Sequence, residues 1–195
     1  MERELRNVQG KVEVRMEGEG EEQYPIIEGY AIVWEAETFI GSPSWGWYEK
    51  VSRNALQGAD MSDVVAKWNH DTNYPLARTG SVNNLELIQD EVGLKYRFKA
   101  MNEDGEKCAE NIKLGIVRGS SFEFTAKKTS WTEDYKEGKE LRTIEEIETL
   151  YDVAPVLREA YPQTTVNVRS REFVKEEKRT QPSIIELKLK SLKIK

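Results

Sequence analysis

The sequence is poor in two metal- and redox-active residue types: it has one cysteine, Cys108, and one histidine, His70. A single cysteine excludes an intramolecular disulfide and a multi-cysteine metal cluster, and it fits a reducing compartment. Zinc sites usually draw on several histidine or cysteine ligands, which this sequence cannot supply. Carboxylates alone could bind magnesium or calcium, but no D-x-D-x-D-G run occurs. We therefore expect neither a metal nor a cofactor.

The sequence also lacks an excess of positive charge and any long apolar run. Lys and Arg total 29 against 35 Asp and Glu, a formal net charge of -6. An acidic chain with interspersed signs lacks the electrostatic footprint of a nucleic-acid binder, and no apolar run approaches the length of a membrane span. The stretch MERELRNVQG has neither the apolar core of a secretory signal nor a lipidation motif. We expect a soluble intracellular protein without nucleic-acid or membrane partners.

Short strand patterns dominate what is present. Strands are predicted over 26–36, 80–89, 93–100 and 117–125, and helices over 53–59 and 101–115. No β-α-β alternation is visible, so the patterns predict a mainly β, α+β protein, either a β-barrel or a sandwich with helical inserts. The length of 195 residues suits one domain with a tail. We place the domain at 1–172 and a charged C-terminal tail at 173–195.

His70, in the motif Asn-His-Asp, is the candidate base, because histidine is the residue whose ordinary pKa suits proton shuttling near neutrality. A lone histidine is more often structural, so the residue alone leaves both roles open. A base needs an orienting carboxylate. Asp71 is a poor choice, since neighbouring side chains of extended backbone diverge. Asp152 lies in a strand-like run that the fold could bring close, although on residues alone it is one of many carboxylates.

Two adjacent serines, Ser120 and Ser121, are candidate nucleophiles, and a serine is activated only within hydrogen-bond reach of a base. Side chains alternate along a strand, so the two cannot face the same way. Ser120 shares a face with Phe122 and Phe124, which we expect to face the core. Ser121 then lies on the opposite face. An ordinary strand serine remains the alternative at this point.

Seven stretches, in chain order, resemble the caudoviral prohead serine protease family, the enzymes that trim scaffold and capsid-protein segments during phage head maturation. They are GYAIVW (29–34), WNHD (68–71), PLART (75–79), DEVGL (90–94), IVRGSSFEF (116–124), LYDVAPV (150–156) and AYPQT (160–164). The resemblance covers residues 25–170 and implies Ser121 as nucleophile, His70 as base and Asp152 as the orienting carboxylate. By analogy with herpesvirus assemblins, to which the family is similar, it implies oxyanion donors near Leu157 and Arg158. It also implies the assemblin fold, a closed, mostly antiparallel β-barrel surrounded by a few helices.

Three positions depart from the family pattern. Glu123 stands where glycine is usual, Asp152 replaces the commoner glutamate, and Glu159 stands where proline is usual. None of the three removes a catalytic group, so we expect an active enzyme.

The resemblance implies a serine endopeptidase that cleaves scaffold or the scaffolding segment of the major capsid protein, and itself, inside the procapsid in the bacterial cytoplasm. It leaves homodimerisation open, and the tail 173–195 could be removed by autolysis or bind scaffold. One alternative is a catalytically silent scaffold component of the procapsid. Another is an unrelated β-barrel binding module in which the aromatic cluster Trp45, Trp47 and Tyr48 holds a ligand. Such clusters more often contribute to packing.

Overall fold

The computed structural model describes residues 2–8, 11–20, 23–80 and 85–157. All of them belong to one compact unit, Met1–Thr165. Arg158, Glu159 and the predicted tail at 173–195 lie outside the described residues.

The described residues form eleven strands and one α-helix. The strands are β1 (Glu4–Val8), β2 (Val12–Glu17), β3 (Tyr24–Val33), β4 (Thr38–Ile40), β5 (Trp47–Val51), β6 (Val65–Lys67), β7 (Pro75–Arg78), β8 (Leu85–Gln89), β9 (Gly93–Lys99), β10 (Gly119–Lys136) and β11 (Lys139–Val156). The helix α1 spans Glu103–Lys113. This composition confirms the prediction of a mainly β, α+β protein.

The strands pair into two sheets. One has seven strands in the order β1-β10-β11-β5-β4, with β6 added to β11 and β7 to β6, and the other has four in the order β2-β3-β9-β8. Among the described residues the two sheets do not close into one barrel, so the prediction of a closed barrel is not supported. Alternating side chains indicate which face of a strand is buried, but they do not indicate which strand edges are joined.

Aromatic and aliphatic side chains from both sheets form one hydrophobic core. It includes Ile27, Tyr96 and Phe98 of the four-stranded sheet and Phe122 and Phe124 of β10, all nearly inaccessible to solvent. The two phenylalanines therefore face the core, as their spacing predicts.

Local predictions were mostly confirmed. The hairpin of β8 and β9 turns at Asp90–Gly93, and α1 begins after Asn102, whose side chain accepts a hydrogen bond from the Gly105 amide. The predicted helix at 53–59 is wrong, because these residues form successive turns. No helix among the described residues is long and apolar enough to span a membrane.

Candidate functional site

Strand β6 brings His70 to the end of β11. It pairs with β11 in parallel, with Val65 opposite Asp152, and the chain then makes a 3-10 turn over Trp68–His70. Asn69 and His70 both take left-handed backbone conformations, with φ of 52° and 61°. Asparagine and histidine are enriched there among non-glycine residues. The Asn-His dipeptide thus reverses the chain and directs the imidazole back towards β11.

The register of β10 and β11 puts the other candidate side chains on one face. Glu123 lies opposite Asp152, and Ser121 lies opposite Ala154. Since Ser121 and Glu123 are two residues apart, both share the face of Asp152.

The three predicted site residues form a continuous chain of contacts. His70 Nδ1 lies 2.6 Å from Asp152 Oδ1, and His70 Nε2 lies 2.6 Å from Ser121 Oγ. Ser121 and Asp152 have no exposed surface, whereas the His70 side chain is 15% exposed. A base thus lies between a hydroxyl and a carboxylate, the arrangement needed to activate a serine and fix the imidazole tautomer.

Asp152 has a second partner, Lys67, which the sequence did not single out. Lys67 Nζ donates to Asp152 Oδ2 over 2.8 Å. Burial raises the pKa of Asp152, but His70 and Lys67 outweigh that effect and hold the pKa below its ordinary value. The carboxylate is therefore ionised with both oxygens engaged. No local pattern marks Lys67, because it lies 85 residues from Asp152 along the chain.

Glu123 adds a second carboxyl group to this environment. Its burial and the neighbouring Asp152 raise its pKa, although Lys67 acts in the opposite direction. Lys67 Nζ lies 4.0 Å from Glu123 Oε2. Glu123 thus shares the lysine that holds Asp152.

Ser120 has a different environment from Ser121, as the strand alternation predicts. Its hydroxyl lies 2.9 Å from the Tyr96 hydroxyl in the core. Gly29 leaves room for this pair, because a Cβ there would lie 2.7 Å from Tyr96 Oη and 2.8 Å from Ser120 Oγ. Ser120 therefore has a packing role, and Ser121 is the serine that reaches the imidazole.

Of the two predicted oxyanion residues, Leu157 is described and Arg158 is not. The Leu157 amide donates to the Asn69 side-chain oxygen over 3.0 Å. The backbone next to the predicted oxyanion site is thereby connected to the turn that carries His70.

The backbone of β1 also contacts the site. Ser121 Oγ donates to the Arg6 carbonyl oxygen over 3.0 Å, a contact that no side-chain motif could have indicated.

The aromatic cluster packs within the protein. Trp47 is buried between Trp45 and Trp131, with ring centroids at 6.4 and 6.1 Å, and Tyr48 packs edge-on against Phe39. Among the described residues, no group of three or more His, Cys, Asp or Glu side chains is arranged to hold a metal ion.

Comparison with known proteins assigns the sequence to a family. The family model described as caudovirus prohead serine protease matches residues 10–179. Among solved structures, the capsid assembly protease of bacteriophage T4 is similar, with a TM-score of 0.47 at 16% identity over 80% of this chain and 97% of that one. Curated proteins gave no match. The family model covers most of the sequence, and the chain therefore belongs to the caudovirus prohead serine protease family.

Proposed function

We propose that this protein is a serine endopeptidase in which Ser121 is the nucleophile, His70 the general base and Asp152 the residue that orients the base. The observation that carries the proposal is the pair of 2.6 Å contacts from the two His70 ring nitrogens to Ser121 and Asp152. Ser121 and Asp152 are fully buried and only His70 is partly exposed, and such burial strengthens the electrostatic interactions within the chain of groups.

The proposed reaction is acyl transfer. His70 Nε2 takes the Ser121 proton as Oγ bonds to the scissile carbonyl carbon. The resulting imidazolium is stabilised by Asp152 and then protonates the leaving amine as the peptide bond breaks. Water next attacks the ester, His70 accepts its proton, and Ser121 regains a proton as the acid product leaves. Lys67 keeps Asp152 anionic throughout these steps.

The tetrahedral oxyanion needs preorganised donors, and we assign them to the backbone amides near Leu157 and Arg158. The Leu157 amide binds Asn69 Oδ1, so it must exchange this acceptor for the substrate oxyanion during the reaction.

Membership of the prohead serine protease family supports a substrate in the phage head. We infer that the enzyme cleaves scaffold or the scaffolding segment of the major capsid protein, and itself, inside the procapsid. Removal of the tail 173–195 by autolysis, or its binding to scaffold, and homodimerisation belong to the same proposal. So does kinship with the herpesvirus assemblins, although the described sheets do not form their closed barrel.

One observation favours the alternative of a catalytically silent scaffold component: Ser121 has no exposed surface. Co-production of the chain with its phage's major capsid protein separates the two functions. We expect capsid-protein shortening with the wild type and with Ser120→Ala, which keeps Ser121, and none with Ser121→Ala. Shortening that survives Ser121→Ala would refute the nucleophile, and its absence with all three chains would favour the silent component.

A further inference from the structure

The chain's own first strand covers the nucleophile. β1 pairs antiparallel with β10, with Asn7 opposite Ser121 and Arg6 opposite Phe122. Because β11 occupies the other edge of β10, a peptide that pairs with β10 beside Ser121 must take the place of β1. Extended peptides commonly bind proteins by adding a strand to such an edge.

β1 also competes for the proton that catalysis requires. The Ser121 hydroxyl has one hydrogen and two potential acceptors, His70 Nε2 at 2.6 Å and the Arg6 carbonyl oxygen at 3.0 Å. In a neutral ring whose Nδ1–H faces Asp152, Nε2 is the acceptor. A hydroxyl that donates to Arg6 cannot at the same time donate to His70. β1 therefore supplies a second acceptor, which competes with His70 for the Ser121 proton.

Four buried charged side chains hold β1 in place. Glu4 and Arg6 of β1 meet Glu49 of β5 and Arg142 of β11, and each is at most 7% exposed. Arg142 donates to both oxygens of Glu4 over 2.7 and 2.9 Å, and Arg6 Nη2 donates to Glu49 Oε2 over 3.0 Å. The four charges sum to zero.

This charge balance allows β1 to leave. Departure removes one acid and one base together, so the net charge left behind is zero. Glu49 and Arg142 remain bonded to each other over 2.9 Å. A buried charge that loses its partner is strongly destabilising, and this arrangement avoids that outcome for both residues.

A cavity beside β1 gives peptide side chains further room. It measures about 160 Å³, and its lining includes Asn7, Glu49, Val51 and Phe122. Its walls combine apolar side chains with the carboxylate of Glu49.

We propose that the edge of β10 beside Ser121 is the binding site for an extended substrate peptide, and that β1 is a tethered occupant that leaves when substrate binds. The peptide pairs its backbone with β10 and presents an acidic side chain to Arg142 and, two residues later, a basic side chain to Glu49. That the bound peptide is a substrate rests on the proposed function, but peptide binding at this strand edge can be tested without catalysis.

The test loosens β1 in the full-length chain. Glu4→Ala/Arg6→Ala is introduced into the Ser121→Ala background, which prevents cleavage, and hydrogen exchange of residues 119–124 is measured by mass spectrometry. We expect at least tenfold faster exchange there. Glu103→Ala/Lys107→Ala, which removes an exposed ion pair from α1, serves as the matched control and leaves the exchange unchanged.

The same chains are then titrated with a fluorescent peptide of residues 1–10, MERELRNVQG. We expect it to bind the loosened chain, to restore protection over 119–124, and not to bind the control chain, whose site is occupied. A peptide with Glu4 and Arg6 exchanged has the same composition and should bind at least tenfold more weakly. Unchanged exchange in the loosened chain, equal binding of the two peptides, or equal binding to both chains would overturn the proposal.

If β9 of the loosened chain also loses protection from hydrogen exchange, the variant has unfolded. Hydrogen exchange of the wild-type chain then tests the proposal. The proposal predicts that β1 amides exchange at least tenfold faster than those of β9, because β1 opens locally. Equal rates would mean that β1 leaves only on global unfolding, which refutes the proposal. Since no arm uses catalysis, peptide binding without capsid-protein cleavage would refute the proposed function and leave the binding site standing.

Discussion

At the scale of single residues, Lys67 is the least expected part of the site. It holds the Asp152 oxygen that His70 does not use, and a hydrogen bond between charged groups contributes about 1.5–3 kcal/mol. If this contact orients the base, its loss will slow the chemical step and leave substrate affinity unaffected.

We therefore expect Lys67→Met to lower kcat about 10- to 100-fold with KM unchanged. Lys67 helps to hold the pKa of Asp152 down, so its removal should raise that pKa. The acidic limb of the variant's kcat–pH profile should then move to higher pH, because Asp152 stays protonated up to a higher pH. The kcat–pH profile on a capsid-derived peptide measures both effects. Lys67→Arg keeps the charge and should preserve the limb; an unmoved limb in Lys67→Met would refute the role.

Glu123 should make the stability of the protein depend on pH. Its folded-state pKa is raised by burial and by Asp152, so its stabilising contribution is present below the unfolded pKa and is lost as pH rises through the folded pKa. Glu123→Gln should raise Tm at pH 7.5 relative to wild type, with the gain vanishing near pH 4. Glu103 is the matched control, since Lys107 lowers its pKa. Glu103→Gln should lower Tm at pH 7.5, and a loss of Tm in both variants would contradict the account.

At the scale of elements, the turn over Trp68–His70 combines two requirements. Asn69 adopts a left-handed backbone conformation, and its side-chain oxygen accepts a hydrogen bond from the Leu157 amide. The motif Asn-His-Asp pointed to the histidine, but the pairing with Leu157, 88 residues away, was not visible in the sequence.

Two substitutions separate these requirements. Asn69→Gly and Asn69→Ala both lose the hydrogen bond, but only alanine also bears the strain of positive φ, about 1–2 kcal/mol. We expect Asn69→Ala to have the lower free energy of unfolding by about that amount, measured by urea denaturation. Equal stabilities would show that the conformation of this turn is not a constraint on the chain.

Elements with local signals were predictable, and their assembly was not. The β8–β9 hairpin and α1 follow from turn and capping residues adjacent in sequence. The predicted helix at 53–59 failed because its apolar residues, Ala55 and Leu56, bury into the core from turns. The strand patterns allowed a barrel or a sandwich, and the resemblance favoured the closed barrel. The described strands form two sheets instead.

At the scale of the whole molecule, the site depends on long-range pairings. His70, Ser121 and Asp152 come from separate elements, and each lies in a stretch of sequence that resembles the family. The strand β1 carried no recognised motif, and its pairing with β10 joins segments more than 110 residues apart. Membership of the protease family also removes the unrelated β-barrel binding module as an alternative.

The charge cluster under β1 predicts acid lability. Burial raises the pKa of Glu49, but Arg6 and Arg142 outweigh it and lower it to about 2. A depressed carboxyl pKa gives stability that is present above the unfolded value of 4.5 and is lost as pH falls towards 2. We expect Tm to fall across this window, and Glu49→Gln to be less stable at pH 6 but to show a shallower fall. Parallel pH profiles would contradict the assignment.

The central claim is that Ser121 is a nucleophile activated by His70, and covalent labelling tests it most directly. The chain is treated with a fluorophosphonate, and the modified residue is located by tandem mass spectrometry. The account predicts phosphonylation of Ser121, slow in the wild type, faster in Glu4→Ala/Arg6→Ala, retained in Ser120→Ala and abolished by His70→Ala. Label on another residue, or none on either the wild type or the loosened chain, would contradict it.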